Sequence, residues 1–346
     1  MTNFVCHFVA ILLTCCALSA ICFAAPPSHH PDVTEAQPTP ELVPPQEQQT
    51  LPRQGRGALY TIVVGRELIH EVAAGDTPAG LAKRYGVRLH TVLRRNGIRD
   101  PRRLRIGQRL VLSNRHIVPA SFANGLVVDL PLLSLYWLHE GRVVANFPIA
   151  AGRPAWETPP GMYRIIGRRR NPTWYVPVSI QREMQAAGLR VRKRVLPGPD
   201  NPLGKYWIQL SAPGIGLHGT NAPWSVGRYA THGCIRLHEE HIEELFTKVP
   251  DGTPVAIVDE PVRLARTPDQ RIFLEVLDRP EVWSPTQLES ALEHAGLRAE
   301  IDWPLALQAL TGRWGVAVDI TATLLPESVY SPETDSAVHQ SGEATH

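Results

Sequence analysis

The chain has 346 residues, and its 35 lysines and arginines nearly balance its 33 aspartates and glutamates, which leaves a formal charge of +2. This length exceeds one small module and suggests about two domains. With 43% hydrophobic and 20% charged residues, the chain has the composition of a globular protein that buries a core. Residues 53–115 contain fourteen basic and four acidic residues, whereas residues 259–346 contain six and fifteen. We therefore expect a basic surface early in the chain and an acidic one late.

The first 24 residues predict a secretory signal. Residues 8–23 are almost wholly apolar, are followed by small residues, and are too short for a comfortable membrane span of ~20 residues. No lysine or arginine precedes Arg53, so cleavage is left open and an uncleaved anchor helix is the alternative. We expect an exported protein of the periplasm or cell envelope, with no stable membrane span after cleavage. Nucleic acid is not an expected partner there.

A linker and a small module are predicted next. Residues 25–58 are rich in proline and predict an extended linker. Residues 59–114 predict a compact βααβ unit, whose first helix begins at a Thr77 or Asp76 cap followed by proline and ends at Gly86. The predicted elements are a strand at 70–72, a helix from 78, a helix at 90–95 and a strand at 104–112.

This unit resembles a LysM module. The resemblance rests on four stretches: Val72-Ala-Ala-Gly-Asp-Thr77, Leu81-Ala-Lys-Arg-Tyr-Gly86, Asn96-Gly97 and Ile106-Gly-Gln-Arg-Leu110. It implies binding of N-acetylglucosamine-containing glycan strands, notably peptidoglycan, through the loops at one end of the helix pair. The alternative is a small structural domain that binds no ligand.

Residues 120–260 predict a mainly β domain. Short β-rich runs recur about every ten residues, which favours a β-sandwich or barrel over βαβ units. They lie at 125–130, 133–139, 143–149, 161–166, 206–210 and 255–258, and one helix is predicted at 239–248. Residues 167–204 are polar, contain five prolines and predict a long loop without regular structure that could wall a cleft.

The last part of the chain predicts an α+β appendage of unknown role at 261–325. Its predicted elements are a strand at 272–277, a helix with a Ser284 and Gln287 capping box that ends at Gly296, and a strand at 316–320. Residues 326–346 are polar and acidic and predict a disordered tail.

The candidate chemistry centres on Cys234. It is the only cysteine outside the first 22 residues, and an unpaired thiol in an oxidising compartment is a liability unless it has a function. A nucleophilic thiol needs a histidine within reach and backbone N–H donors for the anionic intermediate. His218, sixteen residues upstream, can return across a loop to face the thiol, whereas His232 is too close in sequence for a good approach. The histidine and cysteine spacings match no usual zinc signature, so we predict no metal and no cofactor.

A second resemblance is to the catalytic domain of L,D-transpeptidases, the YkuD-type fold. It rests on His218-Gly-Thr and Thr231-His-Gly-Cys-Ile-Arg-Leu237, and it extends across about residues 123–260. Three further stretches are similar to an enterobacterial subgroup that joins a glycan-binding module to this domain: Glu157-Thr-Pro-Pro-Gly161, Pro172-Thr-Trp174 and Pro197-Gly-Pro-Asp-Asn-Pro-Leu-Gly204.

The resemblance implies a reaction and assigns roles. An acyl-enzyme would form from a peptidoglycan tetrapeptide stem with release of D-Ala, and the acyl group would pass to an amine of another stem peptide or of an envelope lipoprotein lysine. The implied nucleophile is Cys234 and the implied base His218. The implied supporting residues are Gly233 with the Cys234 backbone for the oxyanion, and Thr231, His232 and Gly219 for the loop. Arg236 is assigned either to a stem-peptide carboxylate or to a structural salt bridge.

Two other functions remain open from sequence. A thiol hydrolase of stem peptides would use water as the acceptor, and sequence does not separate water from an amine. A wall-binding protein with an inactive catalytic fold is the third hypothesis. The oligomeric state is also open.

Overall fold

The computed structural model describes residues 58–322. The predicted signal at 1–24, nearly all of the linker at 25–58 and the predicted tail at 326–346 lie outside these residues. Within the described part of the chain, no helix combines the length and apolar character needed to cross a bilayer.

The N-terminal part contains the predicted βααβ order. Its elements are β1 (Leu59–Tyr60), β2 (Ile62–Val64), β3 (Glu67–Glu71), α1 (Pro78–Tyr85), α2 (Leu89–Arg95), β4 (Arg109–Ser113) and β5 (His116–Val118). The predicted caps of α1 are present, because Thr77 Oγ1 accepts from the Gly80 N–H and Gly86 has the left-handed φ of 63°. The strands β3 and β4 pair antiparallel and enclose a small core around Leu81 and Leu110.

The central part is a mainly β domain, as predicted. Its elements are β6 (Gly125–Asp129), β7 (Ser134–His139), β8 (Arg142–Pro148), β9 (Ala151–Gly152), β10 (Gly161–Arg170), β11 (Trp174–Tyr175), α3 (Val178–Ala186), β12 (Arg194–Val195), β13 (Tyr206–Leu210), β14 (Gly216–His218), β15 (Tyr229–Thr231), β16 (Ile235–Arg236), α4 (Glu239–Lys248) and β17 (Pro254–Val258). Eight strands form one mixed sheet in the order β16-β14-β13-β10-β17-β6-β7-β8. The largest core lies between this sheet and the apolar face of α4, which contributes Ile242 and Leu245.

Residues 171–205 are structured, in contrast to the predicted loop. We call them the insertion. The strands β11 and β12 pair antiparallel around α3, and Val176, Ile180 and Val195 form a small core of their own. The buried amide of Asn201 donates to the carbonyl of Pro172 and closes the base of the insertion. The helix α3 was not predicted because it is short, contains few apolar residues and is flanked by proline-containing segments, so the sequence shows no clear helical period.

The C-terminal part is the predicted α+β unit with one additional helix. Its elements are β18 (Val262–Arg266), β19 (Ile272–Val276), α5 (Pro285–His294), α6 (Trp303–Gly312) and β20 (Ala317–Asp319). Both hydrogen bonds of the Ser284 and Gln287 capping box are present. The helix α6 was not predicted, because its residues are apolar on nearly every side and give no helical period.

A buried ionic cluster joins the three parts. Arg263 on β18 is fully buried, and its guanidinium donates two hydrogen bonds to the carboxylate of Asp129 on β6, at 2.7 and 2.8 Å. Its Nη1 also lies 3.5 Å from Glu275 on β19. Glu275 in turn accepts from the Ile117 N–H and contacts His116 Nδ1 at 2.7 Å, both on β5. We call Asp129, Arg263, Glu275 and His116 the ionic cluster.

Glu275 stays ionised within this cluster. Burial alone would raise the pKa of Glu275, but the opposing contacts with His116, Arg263 and the Ile117 N–H hold it below the usual value. The strand β1 adds a second link, because it pairs in parallel with β18 rather than with its neighbours in sequence. The appendage is therefore continuous with both preceding parts.

We predict that Arg263→Met lowers the free energy of unfolding by about 3–5 kcal/mol, since it leaves two buried carboxylates without their cation. The matched control is Arg266→Met on the same strand, whose partly exposed pair with Glu300 should be worth about 1 kcal/mol or less. Urea unfolding of both variants measures the difference. Equal decreases in the free energy of unfolding would show that the ionic cluster contributes no more to stability than the partly exposed ion pair.

Candidate active site

The two predicted reactive residues lie at the same edge of the large sheet. The strands β14 and β16 pair in parallel, with Leu217 opposite Ile235 and His218 opposite Arg236. Paired residues of neighbouring strands face the same side, and residues two apart on an extended strand do too. Cys234, two positions before Arg236, is therefore placed on the side that carries the His218 ring. The charge of Arg236 influences the pKa of both groups, which agrees with this proximity.

His218 is held as a neutral base. Its ring is buried, stacks on Trp207 at 5.9 Å between centroids, and its Nδ1 lies 2.6 Å from the carbonyl oxygen of Gly219. Because a carbonyl only accepts hydrogen bonds, Nδ1 carries the proton and Nε2 keeps its lone pair. Burial, followed by the charge of Arg236, lowers the pKa of His218 to about 3. The imidazole is thus uncharged at neutral pH and able to accept a proton.

Cys234 is a protonated thiol in this arrangement. The residue is half-buried, and its Sγ contacts the carbonyl oxygen of Gly214 at 3.5 Å. Burial raises the pKa of the Cys234 thiol, while the Gly216 N–H and Arg236 lower it to a lesser extent. No hydrogen bond joins Sγ to the His218 ring within residues 58–322. The resting pair is therefore a neutral thiol and a neutral imidazole, and the thiol loses its proton only as it attacks.

Thr231 organises the backbone around the thiol. Its buried Oγ1 donates to the Cys234 carbonyl at 2.6 Å and accepts from the Gly233 N–H at 3.2 Å. The Gly233 N–H is thus already engaged, which leaves the Cys234 N–H as the better candidate donor for an oxyanion. Gly233 has φ of 103°, a conformation that favours glycine, and a Cβ there would lie 3.1 Å from Ile215.

Gly219 permits a close approach by a carboxylate. Glu239, at the start of α4, accepts hydrogen bonds from the backbone N–H groups of Thr220 at 2.6 Å and Lys205 at 3.1 Å. A Cβ on Gly219 would lie only 1.9 Å from Glu239 Oε1. The segment that follows His218 is therefore fixed to α4 through Glu239, and a larger residue at position 219 would displace the Glu239 carboxylate from this position.

His232 faces the insertion, where it meets two residues that the sequence did not identify. Its Nε2 lies 3.0 Å from Glu183 Oε2 on α3 and 2.9 Å from Arg153 Nη2, while Trp156 packs on its ring edge-on. A carboxylate only accepts and a guanidinium only donates, so Nε2 can serve one of these two at a time. Arg153 and Glu183 also pair with each other at 2.5 Å, and these bonds, the one with Arg153 first, lower the pKa of Glu183. We call Arg153, Glu183 and His232 the latch, because it fastens the insertion to the loop that carries Cys234.

Arg236 lies on the same side of the site without an acidic partner. Its Nη1 donates to Ser225 Oγ at 2.9 Å, and its buried Nε has no hydrogen-bond partner. Burial lowers the pKa of Arg236. No carboxylate pairs with it in the described part of the chain, so the salt bridge considered from sequence is not present there. A half-buried cation with a spare donor is suited to an anionic group of a ligand.

No metal site accompanies these residues. Within residues 58–322, no three histidine, cysteine, aspartate or glutamate side chains are grouped so that they could hold an ion. His238 and His241 contact each other at 5.5 Å between ring centroids, and the His241 ring also packs on Phe147.

Comparison with known proteins identifies two family matches. Residues 123–257 match the L,D-transpeptidase catalytic domain, and residues 70–113 match the LysM domain. The chain is 30% identical over 271 residues to the probable L,D-transpeptidase YcfS of Escherichia coli, which covers 75% of this chain and 85% of that protein. It is 33% identical over 253 residues to the probable L,D-transpeptidase ErfK/SrfK of Escherichia coli. This alignment covers 70% of this chain and 81% of that protein. Among solved structures, an L,D-transpeptidase from Mycobacterium smegmatis is 17% identical with a TM-score of 0.29, covering 61% of this chain and 97% of that one.

We predict that iodoacetamide alkylates Cys234 with a midpoint pH above the ordinary cysteine value of about 8.5, because the reactive thiolate is disfavoured by burial. Peptide mapping by mass spectrometry at a series of pH values gives the rate at this residue alone. His218→Ala should leave the alkylation rate of Cys234 at low pH unchanged. The imidazole is uncharged there and therefore does not stabilise a thiolate. A midpoint well below that of a free thiol would instead indicate a resting thiolate–imidazolium pair.

Proposed function

Because the chain belongs to the L,D-transpeptidase family, we propose that it is a peptidoglycan L,D-transpeptidase in which Cys234 is the nucleophile and His218 the general base. The observation that carries this proposal is the parallel pairing of β14 and β16, which places the only thiol of the described residues on the same side as a neutral imidazole.

In the first step Cys234 Sγ attacks the carbonyl carbon of the third residue in a tetrapeptide stem. His218 Nε2 takes the thiol proton as the S–C bond forms, which avoids a free thiolate in a buried site. The Cys234 N–H donates to the developing oxyanion. The C–N bond to the terminal D-Ala then breaks, and His218 returns the proton to the leaving amine, which yields a thioester on Cys234.

In the second step an amine attacks the thioester. His218 Nε2 removes a proton from the attacking amine, the new C–N bond forms, and the S–C bond breaks as Cys234 regains its proton. Its lowered pKa leaves His218 unprotonated across the physiological pH range, and negative charge developing on the neighbouring sulfur favours the imidazolium that forms as the proton moves. The acceptor is an amine of a second stem peptide, or a lysine of an envelope lipoprotein.

Arg236 orients the donor in this proposal. Stem peptides carry carboxylates, and the half-buried guanidinium of Arg236 contacts the Ser225 hydroxyl but no carboxylate within the described residues. A guanidinium fork suits a carboxylate. Its position opposite His218 on β16 would bring the bound carboxylate next to the reacting groups.

The LysM module adds affinity for the polymer. We assign it to the glycan strands of peptidoglycan, where it raises the local concentration of the catalytic domain without contributing to the chemistry. Both assignments place the protein at the cell wall, and export through the segment 1–24 to the periplasm completes the proposal.

The proposal predicts that the protein incubated with disaccharide-tetrapeptides releases D-Ala and forms dimers cross-linked between two third-position residues. Cys234→Ala should abolish both products. His218→Ala should slow them by about 10²- to 10⁴-fold, the usual contribution of a general base. Mass spectrometry identifies the products.

The products also separate the alternatives. Released D-Ala together with tripeptides and without dimers would replace the transferase by the thiol hydrolase. Binding to isolated sacculi without any Cys234 adduct would favour the inactive wall-binding protein. Unchanged products with Cys234→Ala would reject the assigned nucleophile.

The latch should support the chemistry by holding His232. We predict that Glu183→Gln slows acylation of Cys234 about three- to tenfold at neutral pH and changes the free energy of unfolding by less than about 1 kcal/mol, because the pair with Arg153 is partly exposed. The pKa of Glu183 is lowered, first by its hydrogen bond with Arg153, so its ionised form persists at pH values below the usual carboxyl pKa. It is lost only as the pH falls through the lowered value, and the native latch should therefore tolerate mild acid.

The matched control for the latch is Glu240→Gln, which removes the same charge from an exposed position of α4. Acylation is followed by the mass of the protein after timed exposure to a carbapenem-type agent. Equal rates for Glu183→Gln and Glu240→Gln would remove the latch from the mechanism.

A further inference from the structure

The outer surface of the insertion has an unusual composition. Five of the thirteen large apolar side chains that are exposed in the described residues lie between positions 175 and 196, namely Tyr175, Val178, Leu189, Val191 and Leu196. Leu189 and Leu196 are 63% and 61% exposed. Solvent-exposed apolar side chains clustered on one segment point to an interaction surface.

The same surface is basic. Residues 175–196 contain five lysines and arginines, which are Arg182, Arg190, Arg192, Lys193 and Arg194, and all five are exposed. None of them forms an ion pair within residues 58–322. The single acidic residue of this segment, Glu183, faces inward to the latch, where Arg153 and His232 neutralise it. The outward charge of the segment is therefore uncompensated.

Cations and apolar side chains alternate at the end of the insertion. Residues 189–196, which we call the basic tip, read Leu-Arg-Val-Arg-Lys-Arg-Val-Leu, and only Val195 is buried. The hydrogen bond from the Val176 N–H to the Lys193 carbonyl and the pairing of β11 with β12 anchor the tip to the small core of the insertion. The exposed side chains thus project from a structured base.

We propose that the basic tip binds the surface of a membrane that contains anionic phospholipid. Each unpaired cation would meet a headgroup phosphate, and Leu189, Val191 and Leu196 would enter the boundary between headgroups and acyl chains. A purely polar anionic polymer would satisfy the cations but would leave the three aliphatic side chains in water. An acidic protein surface would need its own apolar patch, whereas an anionic bilayer offers both features.

Membrane contact would also position the active site. The insertion is fastened to the Cys234 loop through the latch, so a tip held at the bilayer would keep the catalytic cleft close to the membrane surface. The contact is peripheral, and it does not depend on the transpeptidase reaction.

The test uses the chain without the predicted signal, residues 25–346, with sedimentation of two kinds of vesicle at low salt. We expect binding to vesicles of phosphatidylglycerol mixed with phosphatidylcholine, little binding to phosphatidylcholine alone, and a loss of binding as salt is added. Replacing Arg190, Arg192, Lys193 and Arg194 by glutamine should weaken binding by about 600-fold, since each cation near an anionic surface contributes about fivefold. Leu189→Ser with Leu196→Ser should weaken it without changing the net charge.

The control replaces Arg102, Arg103, Arg105 and Arg109, an equal number of exposed cations from the N-terminal module, by glutamine. If the two variants with four substitutions each reduce binding equally, the effect depends only on net charge and the proposal is overturned. An absence of vesicle binding would also overturn it, and so would a tip variant that loses affinity for isolated sacculi or for an acidic protein while it retains vesicle binding. Circular dichroism of each variant confirms that the exposed substitutions leave the fold intact.

Discussion

Parallel pairing of two short strands determines where the proposed nucleophile and base lie. The strands β14 and β16 share only two registered pairs, yet they hold the imidazole and the segment of the thiol on one side of the sheet edge. So short a ladder is weak by itself and depends on its surroundings. Glu239 fixes the chain after His218 through two backbone hydrogen bonds, and Thr231 fixes the chain before and after Cys234. The absence of side chains at Gly219 and Gly233 lets Glu239 and Thr231 form these hydrogen bonds with the neighbouring backbone.

Burial of this edge determines the protonation states. Desolvation disfavours charge on both partners, so the His218 pKa falls and that of Cys234 rises. A thiolate–imidazolium pair would react faster at rest but would require two charges in a poorly solvated recess. In the proposed reaction, the neutral pair instead delays charge separation until the substrate supplies an acceptor carbonyl. It also makes the thiol less prone to unwanted oxidation, which depends on the thiolate form.

Local signals in the sequence predicted local structure well. The Thr77 cap, the left-handed Gly86 and the Ser284 capping box lie within a few residues of the features they specify, and all three are present. The placement of Cys234 and His218 at the same sheet edge could also be anticipated, because the two residues lie sixteen positions apart around one loop. The latch could not, since Glu183 is 49 residues from His232 and its helix lies in a segment without a clear apolar period. The pairing of β1 with β18 could not be predicted for the same reason, because strand partners that are distant in sequence leave no local pattern.

The ionic cluster explains why the appendage accompanies the other two parts. Asp129, Arg263 and Glu275 are each fully buried, so the burial of each charge depends on oppositely charged or hydrogen-bonding partners. An appendage that merely touched the surface would bury apolar residues and leave its charges in water. The appendage places Arg263 between Asp129 of the large sheet and its own Glu275. Glu275 is hydrogen-bonded to β5, which follows the LysM module. Such a cluster is satisfied in one arrangement only, and it therefore specifies geometry more than it adds stability. Because β5 follows the module at 70–113 directly, the cluster ties the chain segment that leaves this module to the large sheet.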